Sequence, residues 1–104
     1  MKTTLEELLA FRTVVDTGSV TAAAERLGQT VSGVSRALRR LEEKLDTTLL
    51  SRTTRRLSLT DEGATFLAQA RSILAAVDEA EEQIALRRQQ PAGRLRVNAA
   101  MPIM

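Results

Sequence analysis

Phe66, Ala70, Ile73, Val77, Ala80 and Ile84 follow one another at spacings of four, three, four, three and four. That is the heptad rhythm of a helix carrying one continuous apolar seam. Thr60 can cap this helix, Asp61 and Glu62 fill its first turn, where the helix dipole favours acids, and Pro91 stops it. Running to about Gln89, it spans on the order of 45 Å. A chain of 104 residues suits one small domain, and a compact domain of that size cannot cover such a helix. Part of the seam therefore meets another chain or a further domain. The alternative is a helix that folds back on its own bundle.

Upstream, the pattern predicts three shorter helices. Leu5, Leu8, Phe11 and Val15, with Leu9 and Val14 beside them, form an amphipathic stretch that should end at Gly18. Ser19 caps a second helix, without a capping box, which ends at Gly28 after Ala22, Ala23, Ala24 and Leu27. Thr30 caps a third, beginning at Val31. Two helices joined by a short turn containing glycine match a helix-turn-helix. The stretch Thr47 to Arg52 is β-prone, Thr53-Thr54-Arg55 turns, and Arg56-Leu57-Ser58-Leu59 alternates polar with apolar. These segments predict a two-stranded wing with Arg55 at its tip. After Pro91-Ala92-Gly93, the alternation in Arg94-Leu95-Arg96-Val97-Asn98-Ala99 reads as a strand with nothing to pair with, as expected at the front of a longer protein.

The third helix is the most informative segment. Val34, Leu38, Leu41 and Leu45 fall within an arc of about 60° when the helix is projected down its axis. Ser32, Ser35, Arg36 and Arg39 lie on the outward side, and no acid joins them until Glu43. A leucine stripe that fixes the pose of a hydroxyl and guanidinium face is what a helix reading the major groove requires. Glu42 borders the buried stripe and reads as a salt-bridge or capping residue. Charge is segregated along the chain. Residues 36–59 carry seven basic side chains against three acidic, and residues 60–86 carry one against six. Arginine dominates the basic set, and its planar fork suits phosphate and guanine edges. A polyanion partner follows, with a solvated charged face as the bland alternative. Asp78, Glu79, Glu81 and Glu82 are spread around one helix and read as a solvated face.

Composition narrows the function classes. There is no cysteine and no histidine, which removes disulfides, thiolate and imidazole metal sites, cysteine nucleophiles and the Ser-His-Asp arrangement. No glycine-rich phosphate loop is present. The sequence thus predicts neither an enzyme nor a metal or cofactor site. No apolar run approaches the roughly 20 residues of a membrane span, and the N-terminus turns acidic where a signal peptide would turn apolar. A cytoplasmic protein without a membrane partner is expected.

These residues, taken as an ordered set, resemble the LysR-type transcriptional regulators of bacteria over about residues 5–99. The resemblance rests on Phe11-x-x-Val14, Gly18-Ser19, Ala23-Ala24-x-x-Leu27 and Val34-Ser35-Arg36-x-Leu38-x-x-Leu41-Glu42. It continues through Leu49-Leu50-x-Arg52-x-x-Arg55, Leu59-Thr60-x-x-Gly63 and Gly93-x-Leu95-Arg96-Val97. It implies a mainly α fold: a winged helix-turn-helix of three helices and a two-stranded wing, followed by a long dimerisation helix. The implied divisions are a DNA-binding domain over 1–59, a linker and dimerisation helix over 60–90, and over 91–104 a hinge and first strand of an effector-binding domain. It also implies binding of double-stranded promoter DNA by a homodimer whose linker helices pair antiparallel through Phe66, Ala70, Ile73, Val77, Ala80 and Ile84. Full-length members often form tetramers, and the C-terminal domain usually senses a small co-inducer.

By position in the resemblance, Ser32, Ser35 and Arg36 face the major groove, Arg52 lies near the DNA backbone, and Arg55 reaches the minor groove. Arg39 joins them from its place on the helix wheel, and Thr53 and Thr54 are candidate phosphate donors. Arg40 and Arg56 read as phosphate neighbours or surface charge. The chain departs from the family pattern where the recognition helix often starts Ser-Gln-Pro or Ser-Gln-Ser, since Thr30-Val31-Ser32 stands there instead. Val31 cannot hydrogen-bond a base edge, though it could contact a thymine methyl, and Gln29 stands early in the turn. Gly33 replaces a usual alanine, at a helix cost of about 1 kcal/mol. A competing function is a protein–protein module, in which the long helix dimerises and the basic region binds an acidic partner without sequence preference.

Overall fold

The structure, a computed structural model, describes residues 2–52 and 56–89. The expected turn residues Thr53, Thr54 and Arg55, and the hinge and strand expected over 91–104, lie outside the described residues. Two compact units divide the chain, Met1–Leu74 and Ala75–Met104. The elements run α1 (Leu5–Thr17), α2 (Val20–Leu27), α3 (Val31–Leu45), β1 (Leu50–Arg52), β2 (Leu57–Leu59) and α4 (Asp61–Gln89). The helix boundaries follow local chemistry. Thr4, Ser19 and Thr30 cap α1, α2 and α3 with side-chain oxygens that accept from Glu7, Ala22 and Gly33 N–H groups. Gly28, at φ 67°, reverses the chain between α2 and α3 in a left-handed conformation that glycine adopts without a steric penalty. Asp46 does the same after α3 at φ 51°, a place where a short polar side chain is tolerated.

In the first unit α1, α2 and α3 pack against one another. Their core is Leu8, Phe11 and Val14 from α1, Ala23 and Ala24 from α2, and Val34, Ala37, Leu38 and Leu41 from α3, closed by Leu49, Ala70 and Leu74. The small residues of α2 let its neighbours approach closely. Leu5, expected on the buried stripe of α1, is 49% exposed; it lies about 120° around the helix from Phe11. β1 and β2 pair antiparallel, with Leu50 opposite Leu59, Ser51 opposite Ser58 and Arg52 opposite Leu57.

The start of α4 belongs to this same core. Ala70 is fully buried and Leu74 nearly so, and the Phe66 ring stands 5.9 Å from that of Phe11 at a 45° tilt. Ala70 is therefore corrected from an intermolecular seam residue to a core residue, and Phe66 packs against the core as well. The stripe that continues as a heptad seam is used, over its first turns, to close the chain's own domain. Arg71 on α4 donates to Asp16 on α1 at 2.6 Å. That bond holds the Asp16 carboxyl below its ordinary value and raises the Arg71 guanidinium. In the second unit, helix α4 continues from Ala75 with Val77 half-buried and Ala80 and Ile84 exposed.

One buried group was not foreseen from the sequence. Glu7 is 1% exposed. It completes a capping box by accepting from the Thr4 N–H at 3.0 Å. It also accepts from Arg40 Nε at 3.2 Å and from Lys44 Nζ at 2.8 Å, both on α3. Burial works to raise its pKa, but the hydrogen bonds from Lys44, the Thr4 backbone and Arg40, with the Lys44 charge, outweigh it and hold the carboxyl below its ordinary value of 4.5. A lowered folded-state pKa means that this carboxylate stabilises the fold above about pH 4.5 and loses that contribution as pH falls through the folded value. Glu7→Gln, which turns an NH₂ toward two cationic donors, is expected to lower stability at pH 7 by about 1.5–3 kcal/mol and to flatten the loss of stability below pH 4.5. Urea unfolding at neutral and acid pH measures both. An unchanged acid slope would assign the acid sensitivity to another carboxylate.

Candidate nucleic-acid interface

The outward face of α3 is set by what its inward face buries. With Val34, Leu38 and Leu41 in the core, Ser32, Arg36 and Arg39 are exposed and Ser35 is half-buried. Thr30 Oγ1 takes the Gly33 N–H at 3.0 Å, so Thr30 performs the cap. The exposed Ser32 hydroxyl lies 3.5 Å from Thr30 Oγ1.

The wing is brought to this face by a two-sided clamp on Leu49. Glu42 Oε2 accepts from the Leu49 N–H at 2.8 Å and from the Leu50 N–H at 3.1 Å. On the other side, the Leu49 carbonyl accepts from the Thr60 N–H at 3.0 Å. Thr60 Oγ1 donates to the Thr48 carbonyl at 2.6 Å and accepts from the Gly63 N–H at 2.9 Å, capping α4. Glu42 is thus structural, but as the anchor of β1 through two backbone N–H groups and not as the salt-bridge or capping residue expected, and the clamp sets β1 beside α3. Ser35, Leu38, Arg39, Glu42, Leu50 and Arg52 line a cleft of about 350 Å³ between helix and strand.

The structure therefore brings Ser35, Arg39 and Arg52 together along one cleft. It places Ser32 and Arg36 on the open face of α3 outside that lining, and Thr53, Thr54 and Arg55 lie outside the described residues. Among the described residues Arg36, Arg39 and Arg52 form no ion pair, whereas Arg40 and Lys44 are bound to Glu7, Arg71 and Arg12 to Asp16. Unpaired guanidinium groups keep their donors for an incoming anion. Arg40, read from the sequence as a phosphate neighbour or surface charge, instead faces α1. The Thr4-x-x-Glu7 spacing marks a capping box and fixes Glu7 at the start of α1, but it carries no sign of which residue of α3 crosses there. Acids gather at the other end of α3, where Glu42, Glu43 and Asp46 line a second recess with Arg39, Thr47 and Thr48. The electrostatics of the face thus favour an anion at its N-terminal half.

Of the six seam residues, Ile73 is 44% and Ile84 59% exposed. Among the described residues no group of His, Cys, Asp or Glu is arranged to hold a metal ion, and no helix is long and apolar enough to cross a membrane.

Comparison with known proteins places this geometry in context. Residues 5–64 match the family model of the bacterial regulatory helix-turn-helix proteins, lysR family. The chain is 49% identical over 104 residues, all of its length and 35% of the relative's, to the HTH-type transcriptional regulator CrgA of Neisseria meningitidis serogroup C (strain 8013). It resembles the BenM DBD in complex with catB site 1 DNA at a TM-score of 0.78 and 32% identity, over 85% of this chain and 99% of that one. Corynebacterium glutamicum OxyR, as the hydrogen peroxide-bound C206S mutant, is similar at a TM-score of 0.83 and 28% identity, over 89% of this chain and 29% of that one. The chain spans about a third of the length of the curated relatives it matches.

Proposed function

The chain belongs to the LysR family of bacterial regulatory helix-turn-helix proteins, and from that premise we propose that it binds double-stranded promoter DNA sequence-specifically, as a homodimer. The family is one of transcription regulators, not enzymes. The observation that carries the reading is the face of α3 and β1, where Arg36, Arg39 and Arg52 are unpaired among the described residues and stand beside the Ser32 and Ser35 hydroxyls. Ser32, Ser35 and Arg36 address base edges in the major groove, and Arg39 and Arg52 address phosphates. Thr53, Thr54 and Arg55 are assigned to phosphates and the minor groove from the sequence pattern. The BenM DBD, similar in fold to this chain, is described with DNA bound, which supports the assignment.

We assign the homodimer to the exposed part of the seam, Ile73, Val77, Ala80 and Ile84, with Phe66 at its border. Charge favours an antiparallel pair, because Asp61 and Glu62 begin α4 and Arg87 and Arg88 end it. A parallel pair would set like charges against each other at both ends. Residues 91–104 are assigned to the hinge and first strand of an effector-binding domain. A tetramer, a small-molecule co-inducer and a cytoplasmic setting belong to the same proposal for the longer protein.

Fluorescence anisotropy with two duplexes at two salt concentrations tests the function. One duplex flanks the protein's own gene, and the other is a scramble of equal composition. Tighter binding to the first that persists at higher salt is the expected result. Affinity for both should fall with salt as neutralised phosphates release counterions. Equal binding that vanishes with salt would overturn sequence reading. Absence of binding at low salt would favour a protein partner. In the same assay Arg36→Ala is expected to weaken specific binding by about 1–3 kcal/mol, and a neutral effect would remove Arg36 from the site.

A further inference from the structure

Val31 is the first residue of α3 and 45% exposed. The other large apolar side chains exposed among the described residues are Leu5, Ile73, Ile84 and Leu86, so on α3 Val31 stands alone. The fold makes no visible use of it. Thr30 supplies the cap, and the core contact of this turn is Val34, which is fully buried. Ser35 follows it four residues on, and Arg39 four beyond that, so the three side chains form one row along the helix surface. The hydroxyl of that row can donate to an acceptor on a base edge, and the guanidinium to a phosphate. The isopropyl group at its head can do neither that nor accept. In the major groove the group it complements is the C5-methyl of thymine, the one apolar feature that a base pair presents there. The N-terminal residues of a recognition helix are also those that reach base edges.

We propose that Val31 is a specificity-determining residue that covers the C5-methyl of a thymine in each half-site of the operator. This inference rests on the DNA-binding reading above. Contact removes two apolar surfaces from water at once, which favours thymine over cytosine or uracil at that position without any hydrogen bond.

The test begins by selecting duplexes from a randomised pool with the wild-type chain. Each thymine of the enriched half-site is then replaced singly by deoxyuridine, which pairs identically and lacks only the methyl. Wild type and Val31→Ala are compared by anisotropy on every duplex. At one thymine per half-site, deoxyuridine is expected to weaken wild-type binding about three- to tenfold and to leave Val31→Ala unchanged. Val31→Ala should itself lose a similar factor on the thymine duplex, with its circular dichroism unaltered because the side chain is exposed. An enriched sequence with no deoxyuridine effect in wild type, with the same effect in both proteins, or with no thymine in the half-site overturns the role of Val31 while DNA reading stands. Failure to enrich any sequence overturns both.

Discussion

Gly63→Ala is expected to lower stability by about 3 kcal/mol or more, enough to leave a domain of this size largely unfolded under mild stress. A Cβ at position 63 would lie far inside contact distance of the Leu49 carbonyl oxygen, with the Leu49 carbonyl carbon and Leu59 Cδ2 each 3.0 Å away. The first of these is backbone and cannot rotate aside. Nor can Leu49 retreat without loss, because its N–H is bound to Glu42 and its carbonyl to Thr60. Leu49 is itself 2% exposed, so displacing it also disturbs the core. The unfolding midpoint in urea measures the effect. Gly33→Ala is the internal control: its Cβ would meet only Thr30 Oγ1 at 3.0 Å, and its stability should change by no more than about 1 kcal/mol. Equal midpoints for Gly63→Ala and wild type would mean that the junction between β1 and α4 yields, and that the wing is not held as described.

The second large effect is expected from Ile73→Asp. Ile73 is 44% exposed in the single chain, so an aspartate there need not enter the core. On a dimer seam it buries two unpaired carboxylates, one from each chain, which is strongly unfavourable. Sedimentation should show a monomer, and circular dichroism an unchanged helical domain. Affinity for the two-site operator should fall by about 10²-fold or more, because the second half-site is then no longer held at high effective concentration. Leu86→Asp serves as the comparison. Leu86 is 53% exposed but lies about 160° around α4 from Ile84 of the seam, and the proposed seam does not use it. An intact dimer in Ile73→Asp with a monomer in Leu86→Asp would move the interface to that opposite face.

Much of the local structure was legible before any coordinates. Ser19, Thr30 and Thr60 cap the helices that their spacing predicts, and Thr4 adds a cap that the apolar pattern does not mark. Gly18 and Gly28 end α1 and α2 as their positions predict, and both adopt positive φ. The stripe of Val34, Leu38 and Leu41 is buried as its spacing required, and the wing pairs Leu50 with Leu59. The outward face of α3 is legible in the same way, since burying Val34, Leu38 and Leu41 leaves Ser32, Arg36 and Arg39 exposed.

The cases that were not legible share one cause. Arg39 and Arg40 are adjacent in sequence and alike in chemistry, yet one lines the cleft with Arg52 and the other binds Glu7. Their difference depends on where α1 crosses α3, and the partners Glu7 and Arg40 are 33 residues apart. Phe66 and Ala70 continue the heptad rhythm of Ile73 and Val77, and spacing alone cannot tell which turns of a helix cover their own domain. Gly63 belongs to the Leu59-Thr60-x-x-Gly63 pattern of the resemblance, but periodicity supplies no reason for a glycine third in a helix, and only the passage of Leu49 over it makes a side chain intolerable. The sequence by itself determined the helices, most of their ends, the wing and the outward face of α3, because capping and periodicity act within a few residues of chain. Only the tertiary structure decided which charges are neutralised, which seam residues remain exposed and which glycine is obligatory. Those outcomes depend on the angles and distances at which separate elements meet.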